Sequence, residues 1–375
     1  MTGVAPNSAI LGTQNLDVAV SGMDFANGDQ VAFSGTGITV NSTTYVSPTE
    51  LDANISIAPD AIAGMRDITV ANMTLGSGTC VSCFMIAPIV NGVAPGSYGQ
   101  GASAQNITIT GDGFENGAYT SVSGTGVSVN WTSFVSPTQL IANVNVASNA
   151  TLGAHDVVVT DPGQGVGTCS GCFSVNAAPT VTSTSPSSRG QGASANITVN
   201  GSGFVNGASA TVGGTGVTVN STTYVSPTKL TLAISTTNAA PIGARSVTVT
   251  NPDMGVGSCA ACFTINKGPT VTDWNVLSGG YYFQLLIDSI LRQQYTTNVE
   301  VDGSNFQSGA VVTYSAPANE IRVNSTTFVS SSKIKMNITV DVSLYEQALP
   351  QDRAVTVTNP DGGTYTCQGC VVLLI

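Results

Sequence analysis

The residues that could do chemistry are few, and they recur at regular intervals. Eight cysteines form four Cys-x-x-Cys pairs: Cys80/Cys83, Cys169/Cys172, Cys259/Cys262 and Cys367/Cys370. A structural zinc needs four ligands, whereas each pair supplies two with no histidine nearby. A c-type haem attaches through Cys-x-x-Cys-His, but here Phe84, Phe173, Phe263 or Val371 follows the second cysteine. A thioredoxin-like redox pair belongs to an α/β pattern, which the sequence lacks. Disulfide bonding remains, and it favours an oxidising, extracellular compartment. Pairing within each Cys-x-x-Cys is the simplest scheme, and it would pin the turn entering the final strand. Bridges between repeats or between subunits are the alternative.

His155 is the single histidine. Arg66, Arg245 and Arg353 take its place elsewhere in the chain, so it reads as one of a row of basic residues at a strand entrance. Asp161, Asp253 and Asp361 belong to a recurring turn. One carboxylate per turn falls short of the roughly 6–8 oxygens that calcium takes. Acid, base and nucleophile are not gathered anywhere, so neither catalysis nor a metal or cofactor is expected.

The elements that must position these residues are repeated four times. An aromatic follows a glycine-rich step at Phe25, Phe114, Phe204 and Phe306, and a second falls at Tyr45, Phe134, Tyr224 and Phe328. The spacing of about 90 residues suits a whole small domain rather than a short solenoid repeat. It gives four repeats, at 1–86, 87–177, 178–267 and 268–375. Segments such as Asp156–Thr160 and Ser246–Thr250 are rich in β-branched residues, which suit a pleated sheet. Asn-Gly steps at Asn27, Asn116 and Asn206 supply tight turns. Short strands with frequent turns in about 90 residues predict a β-sandwich.

The third repeat resembles the IPT/TIG domain family, whose fold is immunoglobulin-like. The matching residues are Pro179-Thr-Val with Ser185-Pro186, then Ile197-Thr-Val-Asn-Gly-Ser-Gly-Phe204, then Val247-Thr-Val-Thr-Asn-Pro-Asp253. The resemblance extends over nearly the whole chain in four copies and is weakest in the fourth. It implies an all-β array of tandem immunoglobulin-like sandwiches and no particular activity. The paired cysteines are not part of that family's pattern.

Composition narrows the surroundings. Only 8% of residues are charged, against roughly a quarter in ordinary soluble proteins. A net charge of −11 opposes binding to nucleic acid. No apolar run reaches the roughly 20 residues of a membrane-spanning helix. Mean hydropathy is +0.23, so the surface is expected to pack against copies of itself or to carry sugar. Asn41, Asn130, Asn220 and Asn324 begin Asn-x-Ser/Thr sequons at the same place in every repeat. They are candidate glycosylation sites, or asparagines whose side chains stabilise a turn.

The fourth repeat departs most. Phe283, Leu286, Ile287, Ile290 and Leu291 fall at helical spacing, predicting one short helix that either covers the sandwich end or contacts a neighbour. The first repeat lacks the opening Pro-x-Val, and the last ends in Val371, Val372, Leu373, Leu374 and Ile375. These ends suggest head-to-tail stacking of copies, or strand addition between them. The leading expectation is a secreted structural protein, the subunit of a self-assembling filament or surface appendage. The alternative is the stalk of a cell-surface adhesin or receptor that binds a carbohydrate or protein.

Overall fold

The computed structural model describes residues 1–72, 76–163, 165–276, 294–315, 321–341 and 351–373. Side chains alternate between core and surface along each strand. In Glu50–Ile57, for example, Leu51, Ala53, Ile55 and Ile57 are fully buried while the residues between them are half-exposed. That period of two is what a sheet packed on one face demands.

The first repeat has eight strands: β1 (Gly3–Ala5), β2 (Ser8–Ile10), β3 (Leu16–Ser21), β4 (Gln30–Phe33), β5 (Ile38–Ser47), β6 (Glu50–Ile57), β7 (Gly64–Asn72) and β8 (Gly76–Ala87). They form two sheets, ordered β1-β3-β6-β5 and β2-β8-β7-β4. Strand β2 runs parallel to β8. The core between the sheets includes Val18, Val20, Ile68, Phe84 and Ile86. The second repeat repeats the plan with β9 (Ile89–Ala94), β10 (Ser97–Gly99), β11 (Gln105–Asp112), β12 (Tyr119–Val122), β13 (Val127–Ser136), β14 (Gln139–Val146), β15 (Gly153–Thr160) and β16 (Val166–Asn176). Its sheets run β9-β11-β14-β13 and β10-β16-β15-β12.

The third repeat has the same order from Thr180–Ser185 to Val256–Asn266. The fourth shows a four-stranded and a three-stranded sheet among the described residues. Each repeat has its own hydrophobic cluster. The landmark aromatics Phe25, Phe114, Phe204 and Phe306 are all buried in these clusters. The chain is thus an all-β array of tandem immunoglobulin-like sandwiches.

By contacts the chain divides into two compact halves, Met1–Ala178 with Asp253–Val256, and Pro179–Pro252 with Gly257–Ile375.

Two expectations need correction or placement. The first repeat does not lack its opening segment: β1 pairs with β3, and β2 with β8, in the places that β9 and β10 take next door. The position beside β3 that a neighbouring copy's strand was expected to supply is taken by β1 of the same chain. The predicted helix, Phe283 to Leu291, lies outside the described residues, among which no helix occurs, and from Gln294 onward the chain is strand. Val371, Val372 and Leu373 end the final strand, Thr364–Leu373, while Leu374 and Ile375 lie outside the described residues.

Candidate functional site

The Cys-x-x-Cys pairs do not precede the last strand; they sit inside it as a bulge. In β8, Cys80 pairs with Ile68 and Phe84 with Arg66, so Val81–Cys83 loop out opposite Asp67. The same shift occurs opposite Asp156 in β16 and opposite Ala354 in the fourth repeat. The inserted residues need local partners, because a bulge breaks the ladder. Asp67 accepts a hydrogen bond from the Ser82 N–H at 2.8 Å. Asp156 accepts from the Gly171 N–H and the Ser170 hydroxyl, each at 2.8 Å. These bonds, the backbone one foremost, hold the Asp156 carboxyl below its ordinary range.

Cys80–Cys83, Cys169–Cys172 and Cys367–Cys370 are disulfide-bonded. Cys259 and Cys262 are free thiols, so a bridge in every repeat is not what the structure contains. Burial, and then the Cys259 thiol beside it, push the Cys262 thiol up to about 12. The difference has a backbone cause. In the bridged bulges the residue before the second cysteine has positive φ: Ser82 (53°), Gly171 (64°) and Gly369 (68°). Ala261 at that place does not adopt it. A Cβ makes the left-handed region cost roughly 1–2 kcal/mol. In the first repeat the Asp67 bond to the Ser82 N–H offsets that cost, whereas in the third Ser246 takes the aspartate's place and no such carboxylate offsets it. Alkylation of the unfolded but unreduced chain should therefore label two cysteines. Ala261→Gly should bring the count to none, and an unchanged count would break the link between φ and bridging.

His155 is 4% exposed, with Nδ1 2.7 Å from the Ser123 carbonyl oxygen and Nε2 2.8 Å from that of Thr151. Arg66 and Arg245 donate to the corresponding loop carbonyls, those of Ile62 and Pro241. The basic row therefore caps a loop. It also explains the glycine it faces: a Cβ on Gly124 or Gly214 would stand 2.5 Å from His155 or 2.1 Å from Arg245.

Asn41, Asn130, Asn220 and Asn324 are the extra residues of a bulge in the same strand of each repeat. All four are exposed, and each Nδ2 donates to the neighbouring strand: to Asn54 Oδ1 (2.8 Å), Asn143 Oδ1 (2.7 Å), Ser235 Oγ (2.7 Å) and Asn337 Oδ1 (2.9 Å). In the second repeat the chain of amides is longest. Asn143 donates on to Asn106 at 2.7 Å, and Asn145 donates to Asn130 at 2.8 Å.

Beside this ladder stands a residue that the sequence reading passed over. Trp131 is 48% exposed on a strand interior, where Ser42, Ser221 and Ser325 stand in the other repeats. The signal was available: Asn-Trp-Thr interrupts three copies of Asn-Ser-Thr.

The recurring Asn-Pro-Asp turn makes joints. In the second half, Asp361 Oδ2 accepts from Asn266 Nδ2 at 3.0 Å and from Gln307 Nε2 at 2.9 Å. The Thr364 N–H donates to the Gln191 carbonyl at 3.0 Å, and the Gln191 side chain ties down Ala240 and Gly268. In the first half, residues 253–256 make the equivalent bonds, Asn176 Nδ2 to Asp253 Oδ2 at 2.9 Å and the Val256 N–H to the Gln100 carbonyl at 3.0 Å. Among the described residues no group of three or more His, Cys, Asp or Glu could hold a metal ion. Among the same residues there is no helix long and apolar enough to cross a membrane.

No curated protein sequence matches the chain. Among solved structures, it is similar to the plexin A4 extracellular region at 11% identity and TM-score 0.31, covering 93% of this chain and 35% of that one. It is also similar to the eight N-terminal immunoglobulin domains of the Down syndrome cell adhesion molecule, at 11% identity and TM-score 0.22, covering 98% and 47%. The four-domain ectodomain fragment of ICAM-5 gives 12% identity and TM-score 0.22, covering 99% and 98%. The chain spans about a third to a half of the length of the plexin and Down syndrome molecules. In sequence, residues 179–265, the third of the four sandwiches, match the IPT/TIG domain family.

Proposed function

We propose that this chain is an extracellular, cell-surface array of immunoglobulin-like domains, the stalk of an adhesin or receptor, and that it is not an enzyme. The observation that carries this reading is the joint in the second half, a Gly-Gln-Gly loop (190–192) clasped by the Asn359-Pro-Asp361 turn of the following repeat. Such a joint ties one repeat to the next through directional hydrogen bonds, as a spacer requires. The disulfide-closed bulges support an oxidising setting. Sugar on Asn41, Asn130, Asn220 or Asn324 would leave one amide N–H, enough to keep the cross-strand bond.

The filament reading is weaker by the same observation. The first repeat has Asn72-Met73-Thr74 where the clasp needs Asn-Pro-Asp, so it lacks the carboxylate to clasp a preceding copy in this way. Sedimentation velocity of the full chain across a hundredfold range of concentration, roughly the span that exposes mass-action assembly, should show one monomeric species. Concentration-dependent polymers would return the subunit of a head-to-tail filament to first place.

A further inference from the structure

The outer face of β11, β13 and β14 differs from its counterparts in the other repeats in three ways. It carries a half-exposed indole, Trp131, in the strand interior, directly across from Asn143. Asn143 is 7% exposed, while Asn54 and Asn337 at the same register are half-buried. The residue that differs at this register is the indole itself, which in this repeat alone stands across the ladder from the asparagine. Around it runs the ladder of Asn106, Asn143, Asn130 and Asn145. Each amide has two N–H groups and two lone pairs, so members of the ladder keep capacity to bond a ligand.

The third difference is charge. Strands β11, β13 and β14 contain one ionisable residue, Asp112, at the end of β11. The matching face of the first repeat holds Asp17, Glu50 and Asp52. That of the fourth holds Glu300 and Asp302, bridged by Lys333 at 2.5 Å and 3.4 Å. The third has Lys229 and no aromatic in place of Trp131.

We infer that this face of the second repeat binds a neutral glycan, with Trp131 as the stacking platform and the asparagine ladder bonding the hydroxyls. A pyranose presents a flat C–H face and a rim of hydroxyls that both donate and accept. An exposed indole matches the first, and primary amides match the second. Nucleic acid would need cations that the face lacks. A protein partner would need a desolvated apolar centre of several side chains, whereas the polar ladder occupies the centre here. The inference gives the proposed adhesin its ligand class and rests on that reading for its setting.

The test uses the full chain and Trp131→Ser, which installs the residue of the other three repeats and so should leave thermal unfolding unchanged. Both proteins are run in native gels containing hydroxyethylcellulose, galactomannan or pullulan, with anionic alginate as contrast. The expected result is retardation of the parent chain by at least one neutral polysaccharide, lost by about tenfold or more in affinity in the variant, as for a central aromatic anchor. Tryptophan emission gives a second readout, since Trp131 and Trp274 are the two tryptophans and Trp274 packs edge-on to Tyr314 at 5.4 Å. The matching oligosaccharide should shift the parent spectrum and leave that of the variant unmoved. Identical mobility of both proteins in every neutral gel, or retardation by alginate alone, would overturn the proposal. So would a loss of self-association in the variant, which would make the face a contact between copies. A failure here with a monomeric parent chain leaves the stalk reading intact, whereas polymers in sedimentation overturn that reading and not this one.

Discussion

Replacing Asp161 with Asn should stabilise the second repeat at neutral pH by about 1–3 kcal/mol, the scale of relieving one unsatisfied buried polar group. Asp161 takes the place of Asn251 and Asn359 in the recurring turn. Asn251 accepts from the Val205 N–H at 3.2 Å and donates to the Gly203 carbonyl at 2.8 Å. Asn359 does the same with the Gln307 N–H (3.1 Å) and the Asn305 carbonyl (2.8 Å). Asp161 keeps only the first bond: Oδ1 accepts from the Glu115 N–H at 3.1 Å, while Oδ2 is buried without a partner. Gly113 is the residue whose carbonyl an amide would reach from there.

Burial, with the Glu115 carboxylate adding to it, raises Asp161 to about 6 from an ordinary 3.8. A carboxyl raised in the folded state binds its proton more tightly there than in the unfolded chain. Its contribution is therefore intact below about pH 4 and lost as pH rises to about 6, the reverse of a salt-bridged aspartate. Thermal unfolding between pH 4 and 7 should show the second repeat weakening across that window in the parent chain, and this dependence should be absent from Asp161→Asn. Equal pH profiles for the two would mean that Asp161 is hydrated and not buried as described.

What could be read from the sequence follows from which residues had to recur. The buried alternation, the landmark phenylalanines and the bulge asparagines serve the same contact in every repeat, so comparing copies exposes them. The misreadings fall where one copy differs. Ala261 has the same Cys-x-x-Cys frame as Ser82, Gly171 and Gly369, and only the backbone angle shows that its bulge is set differently. The first repeat opens without Pro-x-Val, yet β1 pairs through its backbone, for which Gly3-Val-Ala suffices. Ala5-Pro6, matching Ala94-Pro95 and Ser185-Pro186, was the available sign. Trp131 went unremarked because an apolar residue in a β-branched strand reads as core until the register places it outside. Joints such as Asn266 with Asp361 join residues far apart in sequence, and nothing local marks them as partners.

The glycine three residues before the landmark phenylalanine in the second, third and fourth repeats should tolerate nothing larger. A Cβ on Gly201 would stand 1.9 Å from the Thr180 carbonyl oxygen and 2.6 Å from the Phe204 ring. Gly111 and Gly303 show the same pair of clashes, at 2.0 Å and 2.4 Å, and at 1.9 Å and 2.5 Å. The tip of the ring reaches the glycine, and the opening strand crosses at the distance the ladder sets, so neither neighbour can move without giving up core packing or strand pairing. Gly201→Ala should cost about 3 kcal/mol, at the upper end of typical overpacking. Backbone amides of Thr180–Ser185 should lose hydrogen-exchange protection first, because that strand carries the clashing carbonyl. Trimming the ring as well, in Gly201→Ala with Phe204→Leu, should relieve only part of the loss, since the carbonyl clash remains. Gly3→Ala, whose Cβ would meet nothing within 4 Å, serves as the control. Full protection of Thr180–Ser185 in the single variant would show that the opening strand can shift to make room, and the close packing of glycine, ring and strand would then not be what fixes this edge of the sandwich.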